Sequence, residues 1–158
     1  MSAETYEEEY LIDGKEFIAI GIASTRIKAA LKMLGISSDL IRRTSIVAYE
    51  AEMNLVIHGG GGIMRIEVHP DFIEIIARDE GPGIPDISKA MEEGYSTATD
   101  NIRELGFGAG MGLPNIKRNS DEMKVISEVG KGTEVRALLD IVKIESNLSE
   151  DSVTPLAK

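Results

Sequence analysis

The alternation of apolar and polar positions divides the chain into short elements. Glu7 to Gly21 reads as two short strands around Asp13-Gly14, a favoured hairpin turn pair, with Phe17 to Ile20 as the apolar second run. Ser24 stands where it would cap a helix to about Leu34; Ile27, Leu31 and Leu34 recur at helical spacing and Gly35 stops the run. Ser37 or Ser38 opens a longer helix to about His58, because the glycines Gly59 to Gly62 cannot continue it. From Ile63 to Val68 the period falls to two, with Met64, Ile66 and Val68 on one face and Ile63, Arg65 and Glu67 on the other. His69-Pro70-Asp71 turns the chain into a second strand, Phe72 to Ala77. A glycine- and proline-rich loop, Asp79 to Pro85, leads to a short helix, Ile87 to Glu93, and a polar, glycine-rich stretch, Gly94 to Gly112. A helix from about Leu113 to Ser120 and two strands, Met123 to Ser127 and Thr133 to Leu139, follow. This order predicts an α/β (α+β) fold, a two-layer sandwich whose mixed, mostly antiparallel sheet is covered on one face by helices.

Length and composition narrow the reading. A chain of 158 residues predicts one domain, residues 1–144, followed by a polar, aperiodic and frayed tail, 145–158. Hydrophobic residues are 42% of the chain but aromatics only 4%, so the core is expected to be aliphatic with methionine as filler. No apolar run approaches the roughly 20 residues of a membrane span, and acidic Met1 to Tyr10 does not resemble a signal peptide. Without cysteine there is no disulfide, thiolate metal site or thiol nucleophile, and a cytoplasmic location is expected. The net charge of −10 argues against direct nucleic-acid binding. It does not oppose a nucleotide held by backbone N–H groups and a cation.

The classical nucleotide signatures fail. Gly106-Phe107-Gly108-Ala109-Gly110-Met111-Gly112 never satisfies G-x-G-x-x-G, and Gly130-Lys131-Gly132-Thr133 lacks both the upstream glycine and the hydroxyl position of a P-loop. Three other constellations remain. In Glu50-Ala51-Glu52-Met53-Asn54, Glu50 and Asn54 lie about 40° apart on one helix face, whereas Glu52 points nearly opposite. A carboxylate beside an amide oxygen can serve as general base and as Mg²⁺ ligand. The pair also arises by chance on solvated helices. Asp79-Glu80-Gly81-Pro82-Gly83-Ile84 places a carboxylate where an apolar strand ends, able to accept a hydrogen bond from an exocyclic amine such as that of adenine; a plain tight turn has the same pattern. The run Gly106 to Asn115 brings glycines at period two into a helix start, where free N–H groups and the helix dipole suit an anion. Pro114 fits the first turn, and a flexible loop is the simpler alternative.

Taken in order, E-x-x-x-N, D-x-G-x-G, G-x-G-x-G and a terminal Gly132-Thr133 resemble the N box and three glycine boxes of the GHKL ATPases, the group of gyrase, Hsp90, MutL and histidine kinases, across Glu50 to Thr133. The chain has no room for the second domain of the gyrase-like members or for a phosphoacceptor helix domain. It therefore resembles the stand-alone anti-sigma-factor serine/threonine kinases and the stressosome switch kinases. Gly81-Pro82-Gly83-Ile84, Met91 to Thr97, Gly108-Ala109-Gly110 and Gly112-Leu113-Pro114 are similar to the switch kinases, and Glu50 to Gly59 is nearer the anti-sigma kinases.

The resemblance implies ATP and Mg²⁺ as cofactors, with Glu50 as the catalytic base for a partner's hydroxyl and Asn54 as the metal ligand. Asp79 would read the adenine amine, with Gly81, Gly83 and Ile84 beside the ring and Thr133 assisting. Gly108, Ala109, Gly110, Met111, Gly112 and Leu113 would wrap the phosphates. The implied partner is a STAS-domain protein, a sigma factor or another regulator, and related kinases suggest a homodimer paired through the N-terminal strand edge. His58 reads as a structural or site-lining histidine, Arg103 as a solvated loop residue, and Tyr95-Ser96-Thr97 as lid chemistry or a plain loop. Two functions compete: a serine/threonine kinase acting on a STAS-type antagonist, and a non-catalytic, ATP-dependent module that sequesters or activates a partner. An intact Glu50 favours the kinase, and an unrelated metabolic enzyme lacks any second constellation.

Overall fold

Two-residue alternation builds a five-stranded sheet in the computed structural model, which describes residues 4–92 and 112–141. The strands β1 (Tyr6–Asp13), β2 (Gly61–Val68), β3 (Phe72–Arg78), β4 (Glu122–Glu128) and β5 (Gly132–Asp140) lie in the order β1-β2-β3-β5-β4. All four pairings are antiparallel, so among the described residues the sheet is antiparallel throughout rather than mixed. Its register lines up Met64 with Ala77 and Val135, Ile66 with Ile75 and Ala137, and Val68 with Ile73 and Leu139. All nine are buried and form the floor of one core.

Among the described residues four α-helices accompany the sheet: α1 (Ile22–Met33), α2 (Ser38–Ile57), α3 (Ile87–Ala90) and α4 (Gly112–Asn119). The longest, α2, starts on Ser37, whose hydroxyl accepts the Leu40 N–H at 3.4 Å, with Asp39 in its first turn. It buries Leu40, Ile41, Val47, Ala48, Ala51, Leu55 and Val56 in the core shared with the sheet. The opposite face of the sheet is charged: Arg65 pairs with Glu67 and Glu7, and Arg136 with Glu134 and Glu74. The arginines of these pairs are partly open to solvent, which screens their contribution to stability. No helix among the described residues is long and apolar enough to cross a membrane.

Three local expectations change. The Asp13-Gly14 hairpin does not form, because β1 finds its partner in distant β2 over eight register pairs. Asp13 Oδ1 instead accepts the Lys15 N–H at 2.9 Å, and Phe17–Ala19 makes a single 3₁₀ turn in place of a second strand. The first helix begins at Ile22, ahead of Ser24, whose hydroxyl donates back to the Gly21 carbonyl at 3.1 Å instead of capping. The third helix ends at Ala90, short of Glu93, with Asp86 as its cap. The glycine-rich stretch from Gly94 to Met111 and the tail 145–158 lie outside the described residues.

Candidate active site

Helical spacing puts Glu50 and Asn54 on one flank of α2, and α4 packs against that flank. Asn115 of α4 donates its side-chain N–H to Glu50 Oε1 at 3.3 Å. The other carboxylate oxygen, Oε2, is buried and has no hydrogen-bond partner among the described residues. Burial raises the Glu50 carboxyl above the usual glutamate range, and the Asn115 hydrogen bond opposes this with a smaller effect. A carboxylate that resists carrying its charge has more to gain by taking up a proton, the property a general base needs.

One turn along, Asn54 abuts the start of α4. A Cβ on Gly112 would stand 2.9 Å from Asn54 Oδ1 and 3.1 Å from its Nδ2, so a glycine is what lets the helix start approach the amide. Leu113 turns its side chain into the core, leaving its first-turn backbone N–H as its means of meeting a ligand. Pro114 follows, also buried.

At the far end of the α2–β2 connection lies the turn after β3. Asp79 Oδ1 accepts the N–H groups of Gly81 at 2.8 Å and Thr133 at 3.2 Å, and the Asp79 N–H donates to the Thr133 carbonyl at 2.9 Å. Asp79 Oδ2 faces Gly59, where a Cβ would come within 2.7 Å of it. Ser127, paired with Thr133 across β4 and β5, shares a hydrogen bond with its hydroxyl at 2.8 Å and accepts the Ile84 N–H at 2.7 Å. Gly83 has φ 79°, and a Cβ there would stand 2.4 Å from the Glu128 carbonyl oxygen, so both conformation and space require glycine. His58 closes α2 with its backbone N–H on the Asn54 carbonyl at 2.9 Å. Burial pushes its imidazole below the usual histidine range, with Asp79 pulling less strongly the other way.

Thus Glu50, Asn54, Gly112 and Leu113 gather at one end, and Asp79, Gly81, Gly83, Ile84 and Thr133 at the other. Gly108, Ala109, Gly110 and Met111 lie outside the described residues, as do Tyr95, Ser96, Thr97 and Arg103. These groups fit a nucleotide: a carboxylate whose backbone N–H bonds fall on one of its oxygens, a buried carboxylate oxygen without a hydrogen-bond partner among the described residues, and a helix start opened by glycine. Among the described residues no three His, Cys, Asp or Glu side chains form a metal cage. A single amide oxygen from Asn54 suits Mg²⁺, which keeps several waters and takes its other ligands from phosphates.

Three contributors were not assigned from the sequence. Asn115 follows Gly112 by three residues, on the same side of a short helix, and that spacing was a usable signal. Ser127 has none, since its place depends on cross-strand register with Thr133. Glu52, set aside as facing away from the site, sends its carboxylate into the start of α1.

Comparison with known proteins shows the family. Residues 41–143 match the family described as histidine kinase-, DNA gyrase B-, and HSP90-like ATPase. The chain is 40% identical over 112 residues to the serine/threonine-protein kinase RsbT of Bacillus subtilis, covering 68% of this chain and 77% of that one. It is 34% identical over 119 residues to the anti-sigma F factor of Geobacillus stearothermophilus, covering 72% and 78% respectively. A solved structure, the SiaB-SiaC complex from Pseudomonas aeruginosa, superposes with a TM-score of 0.53 over 85% of this chain and 88% of that chain, at 14% identity, a likeness of fold alone. The chain belongs to the histidine kinase-, DNA gyrase B- and HSP90-like ATPase family.

Proposed function

We propose that the protein is an ATP-dependent serine/threonine protein kinase of the partner-switching kind, which phosphorylates a STAS-type antagonist and thereby governs a sigma factor or similar regulator. The observation that carries this reading is Glu50 Oε2, a buried carboxylate oxygen without a hydrogen-bond partner among the described residues, one helical turn from Asn54. An acceptor hydroxyl placed there gives its proton to Glu50 as its oxygen bonds to the γ-phosphorus of ATP, and the bond from that phosphorus to the bridging oxygen of ADP breaks. Asn54 would hold Mg²⁺, which when bound neutralises charge on the phosphates. Asp79 Oδ2 receives the adenine amine, Gly81, Gly83 and Ile84 line the ring, and Thr133 assists through its link to Ser127. The first-turn N–H groups of Gly112 and Leu113 meet the phosphates, and Gly108, Ala109, Gly110 and Met111 belong to the same phosphate-wrapping run. The likeness to a protein named as a serine/threonine kinase supports transfer. The likeness to anti-sigma F factors supports a second reading, retention of a sigma factor in the ATP-bound state.

Incubation with γ-phosphate-labelled ATP, Mg²⁺ and a STAS-domain protein from the same organism separates the two. Label on a serine or threonine of that protein upholds the kinase. A stable ATP-dependent complex with a sigma factor and no transferred label upholds the clamp, and no ATP binding at millimolar concentration removes both.

A further inference from the structure

Glu52 is charged and almost wholly buried, with 2% of its surface exposed. It sits in the chain between Glu50 and Asn54 but points to the other flank of α2. There Oε2 accepts the N–H groups of Gly21 at 3.0 Å and Ala23 at 3.3 Å, and Oε1 accepts that of Ser24 at 3.0 Å. The cap position of α1 is Gly21, which has no side chain to offer, so these N–H groups are satisfied from a different helix. The acceptor is a carboxyl group placed at the positive end of the α1 dipole, its two oxygens taking three backbone N–H groups.

A serine or aspartate at the cap would have served α1 locally. Instead the acceptor comes from the turn of α2 that carries Glu50. Between Val47 and Leu55 the core-facing residues are the short Ala48 and Ala51, so the apolar contacts at this turn are small. Polar contacts on two flanks add to the hold of Val47, Leu55 and Val56: Glu52 against α1, and Asn115 with Gly112 against Glu50 and Asn54. A side-chain end stands roughly 5–6 Å from a helix axis, so about 10° of rotation moves it about 1 Å. A misplacement of that size costs on the order of 10²-fold in a step that needs near-attack geometry.

We propose that Glu52 is a positioning residue: by hooking α2 onto the start of α1, it sets the rotation of the turn that aims Glu50 and Asn54. What they are aimed at rests on the kinase reading; the hook itself does not.

The test is Glu52→Gln in the full chain, studied well below its melting temperature. Glutamine keeps the size and one acceptor oxygen but turns an NH₂ group toward an N–H donor. The transfer rate should fall about 10-fold or more while ATP affinity stays within about 3-fold, since the adenine end is built on other elements. The side-chain amide resonance of Asn115, which reports directly on Glu50, should shift or broaden. Ala23→Pro deletes one of the three donors to Glu52 in the first turn of α1, where no intrahelical bond is lost, and should move rate and resonance the same way; it also serves if Glu52→Gln fails to fold. A lowered melting temperature with rate and Asn115 resonance unchanged overturns the proposal and leaves Glu52 a helix cap. If the wild-type protein phosphorylates no acceptor, the kinase reading falls, and the Asn115 resonance alone decides: a shift upholds the hook, and none overturns it.

Discussion

The turn after β3 and the middle of α2 use similar materials, a carboxylate beside a closely approaching glycine, and leave them in opposite states. At the turn, Asp79 Oδ1 is held by two backbone N–H groups, and Ser127 ties Thr133 to Ile84. That end is finished before any ligand arrives, its bonds falling on one oxygen of the carboxylate. On α2, Glu50 has one long hydrogen bond and one buried oxygen without a partner. A buried, unpaired acceptor costs stability, and the fold retains it where the acceptor hydroxyl is proposed to arrive. On the proposed reading, recognition would fall to a satisfied network and chemistry to an unsatisfied one.

The largest expected effect comes from emptying the unsatisfied end. Glu50→Gln should lower phosphoryl transfer by about 10²–10⁴-fold, read as label on the partner, with ATP still bound in calorimetry. It should also stabilise the protein. Glu50 has a folded-state pKa above its unfolded value, so the folded state binds more protons in between and loses stability as pH rises from the usual glutamate range through the raised value. The glutamine variant should therefore melt above wild type at neutral pH, and the gap should close in acid. A variant that melts lower at neutral pH would mean that Glu50 is not held at a cost.

Next in size is the satisfied end. Asp79→Asn keeps Oδ1 for Gly81 and Thr133 and replaces Oδ2 by a donor. ATP affinity should fall by roughly 10–100-fold, the worth of one charge-assisted hydrogen bond, with little change in melting. Lost stability with ATP affinity retained would reverse the comparison and make Asp79 purely structural.

The smallest effects distinguish two glycines. Gly83→Ala forces a Cβ at φ 79° against the backbone of Glu128 and should cost about 1–3 kcal/mol of stability in denaturant melts. Gly112→Ala meets only the end of the Asn54 side chain, which can swing aside. It should leave the melt nearly unchanged and weaken Mg²⁺-dependent ATP binding a few-fold, in calorimetry with and without the metal. Equal effects on the melt would mean that α4 tolerates no adjustment at Asn54.

Local chemistry made much of this legible from the sequence. The bounds of α2 follow from Ser37-Ser38 and from the glycines after His58, and the faces of β2 from strict alternation, because caps and periods act within a few residues. The convergence of Glu50 with Asn54 follows from helical pitch alone. What the sequence left open depends on groups distant in the chain. The partner of β1 is β2, some fifty residues on, so the local Asp13-Gly14 signal lost to a longer pairing. The start of α1 is set by Glu52, an acceptor 28 to 31 residues away, so Ser24 misled as a cap. Hydrogen-bond donors take the acceptor that folding brings to them, and only the packing of α1 on α2 and of β5 between β3 and β4 put Glu52 and Ser127 within reach.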